Sequence, residues 1–204
     1  MAAGFWNSVF SAEDYVYGHA PNAHLVAHAG RIKAAGRVLV PGDGEGRNGV
    51  WLAGRGLDVL SVDASAAGLA KARRLAESRG VGIATEEADL LEWTWPVAAF
   101  DAVVSVFLHF RPDERRHVHA AMALALRPGG VLILEAFRPD QLVFGSGGPK
   151  DPAMLYRATD LRADFADLAV AELEEVEVVL DEGAFHQGRG AVVRMVAVRR
   201  DGRG

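Results

Sequence analysis

RVLVPGDGEGRNG, residues 37–49, joins an apolar run to a loop in which glycine alternates with other residues from Gly42 to Gly46. Read from Gly44 it spells G-x-G-x-x-G, and read from Gly42 it spells G-x-G-x-G. An apolar run that ends in such a loop and continues into a helical pattern (Asn48 to Arg55, stopped by Gly54 and Gly56) predicts a strand, a tight turn and a helix N-terminus facing a ligand. Asp63 closes the next apolar run, DVLSVD (58–63), and a carboxylate there suits a ribose diol.

Outward from this stretch, apolar runs alternate with helical patterns. SAAGLAKARRLAESRG (65–80) predicts a helix capped by Ser65 and stopped by Gly80. VGIATEEAD (81–89) reads as a weaker third strand. FDAVVSVFLHF (100–110) is a nearly continuous apolar run, as expected for a strand covered on both faces. PDERRHVHAAMALAL (112–126) opens a helix with proline and acids, and GVLILEAF (130–137) is another buried strand. This alternation predicts an α/β fold with a parallel, doubly wound sheet. RPDQLVFGSGGPKDPAMLY (138–156) is a long proline- and glycine-rich loop, the kind that forms a mobile cover over a site. A short helix follows, DLRADFADL (160–168). VAELEEVEVVLDEG (170–183) and AVVRMVAVRR (191–200) then alternate apolar and polar residues, which predicts an antiparallel hairpin turning at FHQGRG.

The composition narrows the function. The chain has 204 residues, half of them hydrophobic, which suits one domain with a full core. It has no cysteine, so disulfides, thiolate metal sites and cysteine nucleophiles are excluded. The formal net charge is -5 without a basic block, which argues against a nucleic-acid partner. No run has the length of a membrane span, and the N-terminus lacks the pattern of a secretory signal. The expectation is a cytoplasmic protein that handles a small molecule. The loop's own charge narrows the ligand. A pyrophosphate is repelled by nearby carboxylates, whereas Asp43 and Glu45 would attract a sulfonium or an ammonium. Residues 156–160 also lack the Tyr-x-x-x-Lys pair of short-chain dehydrogenases.

The glycine loop, VD at 62–63, EEADL at 86–90, FDAVVS at 100–105 and LRPGG at 126–130, in that order, make the chain resemble a class I S-adenosylmethionine-dependent methyltransferase from about residue 35 to 137. YVYGHAPN (15–22) and GEGRN narrow the resemblance to the small TehB-type tellurite-resistance and thiopurine-methyltransferase-like branch. The resemblance implies a Rossmann-like, mostly parallel seven-stranded sheet with a C-terminal antiparallel hairpin. It implies a single domain over 1–204, with an N-terminal lid (1–35), a cofactor-binding core (36–137) and an acceptor side (138–204). It also implies S-adenosylmethionine as cofactor and a small-molecule acceptor, either anionic or a soft sulfur, selenium or tellurium nucleophile. Carried over, Gly42, Gly44 and Gly46 would admit the methionine part, with Asp43 supplying charge. Asp63 would bind the ribose, with Ala64 beside the adenine. Asp89 and Leu90 would hold the adenine, and Ser105 and Val106 would flank the methionine. One position departs from the family: Val40 stands where an acid is usual, and Asp43 is the residue able to replace its charge.

For the acceptor side, the candidates are His109 after the fourth strand, and His186 with Arg194 and Arg189 at the hairpin, a proton acceptor and cations for an oxyanion. Tyr15 and Tyr17 are expected on the lid. Trp93 and Trp95 are expected to cover sheet or pocket surface. His24 and His28 have metal-ligand spacing but lack the accompanying glutamate, His117 and His119 point apart on a helix, and GSGGPKD has Pro149 where a phosphate loop needs glycine. No metal site is expected. A nicotinamide-dependent oxidoreductase and a non-catalytic S-adenosylmethionine-binding protein are the alternative readings.

Overall fold

A computed structural model describes residues 2–201. Residue 1 and residues 202–204, the outer ends of the expected lid and acceptor-side segments, lie outside the described residues.

The core is a seven-stranded sheet in the order β3-β2-β1-β4-β5-β7-β6. β1 (Arg37–Pro41), β2 (Asp58–Asp63), β3 (Ala84–Glu87), β4 (Phe100–Val106) and β5 (Leu126–Phe137) are parallel, whereas β7 (Gln187–Arg199) runs antiparallel between β5 and the edge strand β6 (Leu168–Asp181). Alternate residues of the central strands face opposite layers, as the pleat requires. Leu39, Val103, Leu132 and Leu134 pack with Val118 and Met122 of α5 (Pro112–Ala125) and Leu161 of α6 (Ala158–Asp164). Val38, Val40, Ala102, Val104 and Ile133 pack with Leu25 of α2 (Ala23–His28) and Leu52 of α3 (Arg47–Ala53) on the other side. The near-continuous apolar runs of the sequence are therefore strands with two buried faces.

Several boundaries differ from the sequence reading: β5 begins at Leu126 instead of 130, and β7 at Gln187 instead of 191, so the hairpin turns before Gln187 and not across FHQGRG. The third strand is only Ala84–Glu87, an edge strand paired with β2 alone. The run 100–110 stops being a strand at Val106. Phe107 takes a left-handed φ of 52°, its N–H donates to the Glu135 carbonyl, and residues 107–110 turn away to line a cavity. Apolar residues in a row cannot by themselves tell a strand from a cavity wall. α6 starts at Ala158 and ends at Asp164, displaced towards the N-terminus from the expected 160–168.

Helix ends follow local chemistry. Ser65 caps α4 (Ala66–Ser78) by accepting from the Gly68 N–H at 3.1 Å. Gly46 precedes α3 with a φ of 87°, and a Cβ there would sit 2.5 Å from the Cβ of Ala72, so this glycine lets α3 and α4 pack against each other. α1 (Ala2–Phe10) lies against α4. Among the described residues no helix is long and apolar enough to cross a membrane.

α5 and α6 are joined by buried charge. Asp164 Oδ2 accepts from Arg115 Nε at 2.7 Å and lies 2.8 Å from His119 Nδ1. Burial would push the Asp164 carboxyl up, but His119 and Arg115 outweigh it and hold the group below its ordinary value. His117 faces solvent while His119 is buried, so the pair do point apart. Removing one member of such a cluster strands the others without water. Asp164→Ala is therefore expected to cost about 3–5 kcal/mol in urea denaturation, whereas Asp113→Ala, which breaks the exposed Asp113–Arg116 pair, is expected to cost less than about 1 kcal/mol.

Candidate cofactor and acceptor site

A cavity of about 530 Å³ opens at the carboxyl ends of β1, β2 and β4, where the strand order reverses. Gly42, Gly44, Asp63, Ala64, Asp89 and Leu90 line one end, and Phe107, His109, Phe137, Met154 and His186 line the other. Trp6, Phe10 and Tyr17 of the N-terminal segment roof it.

At the first end, Asp63 closes β2 and accepts from the Gly44 N–H at 2.8 Å and from the Ser65 N–H at 2.8 Å. Burial pushes its carboxyl up. Each oxygen keeps a lone pair, so the group can still accept from a ligand diol. Gly44 has a φ of 55°, and its missing side chain is what lets the Phe10 ring close over the loop, 3.0 Å from where a Cβ would be. Asp89 is exposed at the cavity edge, where its side chain accepts from the Leu91 N–H at 3.0 Å, and Leu90 is buried beside it. Val106 lines the cavity, but Ser105 is buried in β4 and is not among the lining residues, because neighbouring strand residues face opposite ways. The glycine loop, the strand-end carboxylate and the apolar slot at Leu90 fit an adenosine ligand.

The loop acids do not act as expected. Asp43 accepts from Ser61 Oγ at 2.6 Å and from the Gly49 N–H at 3.2 Å, tying the loop to β2 and α3, and burial pushes its carboxyl up to about 6. Glu45 is buried against Lys71 at 2.7 Å and also accepts from the Val16 N–H at 2.8 Å and the Tyr17 N–H at 3.3 Å. Both acids are thus committed to protein donors instead of presenting free charge to a cation. Val40, in the family's usual acidic position, is simply part of the apolar core. The next two residues of GEGRN extend the pattern. Arg47 donates to Glu182 at 2.8 Å and to the Ala20 carbonyl at 3.3 Å, and Asn48 accepts from the Asn22 N–H at 2.9 Å. Asn22 Nδ2 in turn donates to Glu135 at 2.6 Å and Glu182 at 3.0 Å. The loop is a clamp on the N-terminal segment and on the hairpin.

At the acceptor end, His109 is a strut. Its Nδ1 lies 2.8 Å from the Met154 carbonyl, and its Nε2 accepts from the Phe137 N–H at 3.3 Å. Those bonds set the tautomer, and burial pushes the imidazole down to about 4. Both nitrogens are engaged by the main chain, so the expected catalytic role of His109 is replaced by holding two cavity walls together. His186 differs. It is buried against Phe107 and Tyr17, with ring centroids 4.6 Å away in each case, and its Nδ1 has no hydrogen-bond partner among the described residues.

Arg194 corrects the expectation of a forked cation for the acceptor. It sits opposite Glu135 in the β5–β7 register, bonds to it through Nε at 2.5 Å, and does not line the cavity. A strand-face arginine met a cross-strand acid. Arg189 likewise pairs with Glu177 at 2.6 Å on the exposed hairpin. Arg47 is the one Lys or Arg side chain on the cavity wall among the described residues, and Glu182 neutralises it.

The 138–156 segment is seated by Gln141, a residue the sequence reading passed over. Buried, it donates to Ser146 Oγ and the Gly147 carbonyl, each at 3.0 Å, and accepts from the Ala191 N–H at 2.8 Å. Gly148 lies against the Phe137 ring, 2.7 Å from where its Cβ would be, so this glycine serves close approach. Lys150 is exposed and does not line the cavity. Tyr17 lines the roof, whereas Tyr15 donates to the Lys71 carbonyl outside it. Trp93 and Trp95 form an edge-to-face pair against the core and do not reach the cavity. The His24 and His28 rings meet edge to face, and among the described residues no group of three or more His, Cys, Asp or Glu side chains could hold a metal.

Residues 38–130 match a family model described as a methyltransferase domain. Over 111 residues the chain is 36% identical to glycine/sarcosine N-methyltransferase of Halorhodospira halochloris, a match covering 50% of this chain and 40% of that enzyme. The match thus spans less than half of that relative's length. A solved structure from work on the conversion of a disulfide bond into a thioacetal group during echinomycin biosynthesis superposes with a TM-score of 0.81 at 24% identity, over 98% of this chain and 92% of that one. TehB from Haemophilus influenzae superposes with a TM-score of 0.72 at 18% identity, over 97% of this chain and 67% of that one. These superpositions are likenesses of fold. Residues 38–130, which hold the glycine loop and Asp63 on the cavity wall, are thus similar to a methyltransferase domain of the class I, S-adenosylmethionine-dependent type.

Proposed function

We propose that the protein transfers a methyl group from S-adenosylmethionine to a small, uncharged or soft nucleophile. The observation that carries this reading is the cavity's polarity. One end offers main-chain amides and the Asp63 carboxylate. The other is an aromatic wall holding one unpartnered imidazole, with no unpaired Lys or Arg among the described residues. Of the acceptors expected from the sequence, a soft nucleophile suits this wall better than an oxyanion, whose burial without a cation is costly. The fold-level likeness to TehB, and to a structure from work on turning a disulfide bond into a thioacetal group, is in keeping with the TehB-type branch and a soft acceptor.

When bound, the cofactor supplies an electrophilic methyl on a sulfonium. The chain's part is placement. Asp63 holds the ribose and Leu90 flanks the adenine. Phe107 and Phe137 exclude water beside the acceptor, and His186 Nε2 takes the acceptor's proton. In-line displacement gains most from such alignment.

S-adenosylhomocysteine at a hundredfold excess over its dissociation constant is expected to stabilise the fold by about 2.7 kcal/mol in a thermal-shift assay. NAD and NADP should give no shift. Stabilisation by NAD alone would return the protein to the oxidoreductases.

Asp63→Ala should weaken S-adenosylhomocysteine by about 1.5–3 kcal/mol, the value of hydrogen bonds to a charged group. Calorimetry on the folded variant measures this directly. In a methyl-release assay, aryl and alkyl thiols should turn over while carboxylate and phosphate acceptors do not. S-adenosylhomocysteine binding without turnover of any acceptor would leave a cofactor-binding protein.

A further inference from the structure

His186 is buried, yet its Nδ1 has no hydrogen-bond partner among the described residues. Glu182 Oε2, four residues back across the hairpin turn, lies 3.6 Å from it. That distance is too long for a hydrogen bond in the resting state and within reach of a small ring rotation. Glu182 itself is held firmly. Arg47 Nη2 donates to the same Oε2 at 2.8 Å, Asn22 Nδ2 donates to Oε1 at 3.0 Å, and the Glu182 N–H donates to the His186 carbonyl at 2.9 Å. The carboxylate cannot follow the imidazole, so the imidazole must come to it.

We infer that Glu182 is the positioning residue for His186, and that Arg47, in the helix that follows the cofactor loop, limits how strongly it acts. This rests on the methyltransferase reading above. The acceptor X–H gives its proton to Nε2 as the X–CH3 bond forms and the sulfonium's S–CH3 bond breaks, and the departing thioether keeps that electron pair. The imidazole then carries a proton on each nitrogen, and the Nδ1–H closes onto Glu182. Without the carboxylate, the new cation would sit against Phe107, Phe137 and Tyr17 with no counter-charge, which is costly in such a site. Arg47 opposes it by sharing Oε2, so a change in the cofactor loop is felt at the acceptor.

The groups facing His186 are few. Glu182 lies on its own turn, Arg47 on α3, Tyr17 on the N-terminal segment and His109 after β4. Tyr17 is pushed up to about 12 by burial, and His109 down to about 4, so both are neutral near pH 7. Burial lowers the His186 imidazole and Glu182 raises it. The opposing arrangement holds Glu182 at about 2: its own burial raises it, but His186 and Arg47 outweigh that. The carboxylate is therefore charged near pH 7.

The test is a pH titration of histidine-labelled protein by NMR, with the His186 signal assigned by its loss in His186→Gln. Glu182→Gln keeps the shape and removes the charge, and it should lower the His186 proton affinity about tenfold or more. Arg47→Gln should raise it by a similar factor. General damage to the hairpin would not move the two variants in opposite directions. Glu182→Asp, which retains the charge at a greater distance, should fall between Glu182→Gln and the parent, and it serves in place of Glu182→Gln if that variant does not fold. An unchanged titration in the charge-removing variant, or shifts of the same sign in both, overturns the inference. The titration needs neither cofactor nor acceptor, so failure of the methyl-transfer reading shows separately, as absent S-adenosylhomocysteine binding or turnover. With an acceptor in hand, the acidic limb of kcat/KM should move with the titration in Glu182→Gln while S-adenosylhomocysteine affinity holds.

Discussion

The buried ion pairs of the cofactor loop organise the rest of the molecule. Glu45–Lys71 and Arg47–Glu182 are nearly inaccessible to water, and charges withdrawn from water cost several kcal/mol each unless they are paired and fully hydrogen-bonded. Here the further bonds exist. Lys71 also donates to the Asp14 carbonyl at 2.6 Å, Glu45 also takes the amides of residues 16 and 17, and Arg47 also reaches Ala20. Every supplementary partner belongs to the N-terminal segment or the hairpin. The loop can therefore keep its charges buried only when both of those elements are docked, and docking them is what encloses the cavity.

The same desolvation governs the acceptor end. A wall of Phe107, Phe137 and Tyr17 leaves little to solvate an ion. The imidazole of His109 is kept neutral there by burial, while its bonds to main chain fix its place, and the one cation on the cavity wall among the described residues is cancelled by Glu182. Phe107 reaches this wall through a left-handed backbone, which for an aromatic residue costs on the order of 1–2 kcal/mol. Its N–H bond to Glu135 and its stacking on Phe137, with centroids 4.4 Å apart, hold the conformation in place. The strain lies where β4 gives way to the site, and it turns an apolar run out of the sheet and into the cavity.

Much of the sheet was legible because its signals are local. RVLV, DVLSVD, FDAVVSV and VLILEAF carry the two-faced apolar pattern of buried parallel strands, and each is a strand. The alternating pattern of the last two strands gave the antiparallel hairpin. Asp63 at a strand end, Gly42 and Gly44 line the cavity, whereas Gly46, expected with them, packs against Ala72 between two helices. The misreadings share a different cause. Asp43, Glu45 and Arg194 were judged by the charge they carry, whereas their roles depend on which opposite group folding brings near: Ser61 and Gly49, Lys71, and Glu135. Gln141 gave no signal at all, because a lone amide in a loop reveals nothing until the loop closes on it.

The sequence by itself determined the order of strands and helices, the glycine turn at the head of α3, the strand-end carboxylate and the absence of thiol chemistry, because each depends on residue type and short-range spacing. The tertiary structure decided which charges are free and which are paired, that His109 braces the walls while His186 Nδ1 has no partner among the described residues, and that the acceptor end is largely aromatic, with no unpaired Lys or Arg among the described residues. Those outcomes join residues far apart in the chain. Arg47 meets Glu182 across 135 positions, and Asn22 meets Glu135 across 113. Burial strengthens such meetings and makes an unpaired charge costly, and no local pattern records either effect.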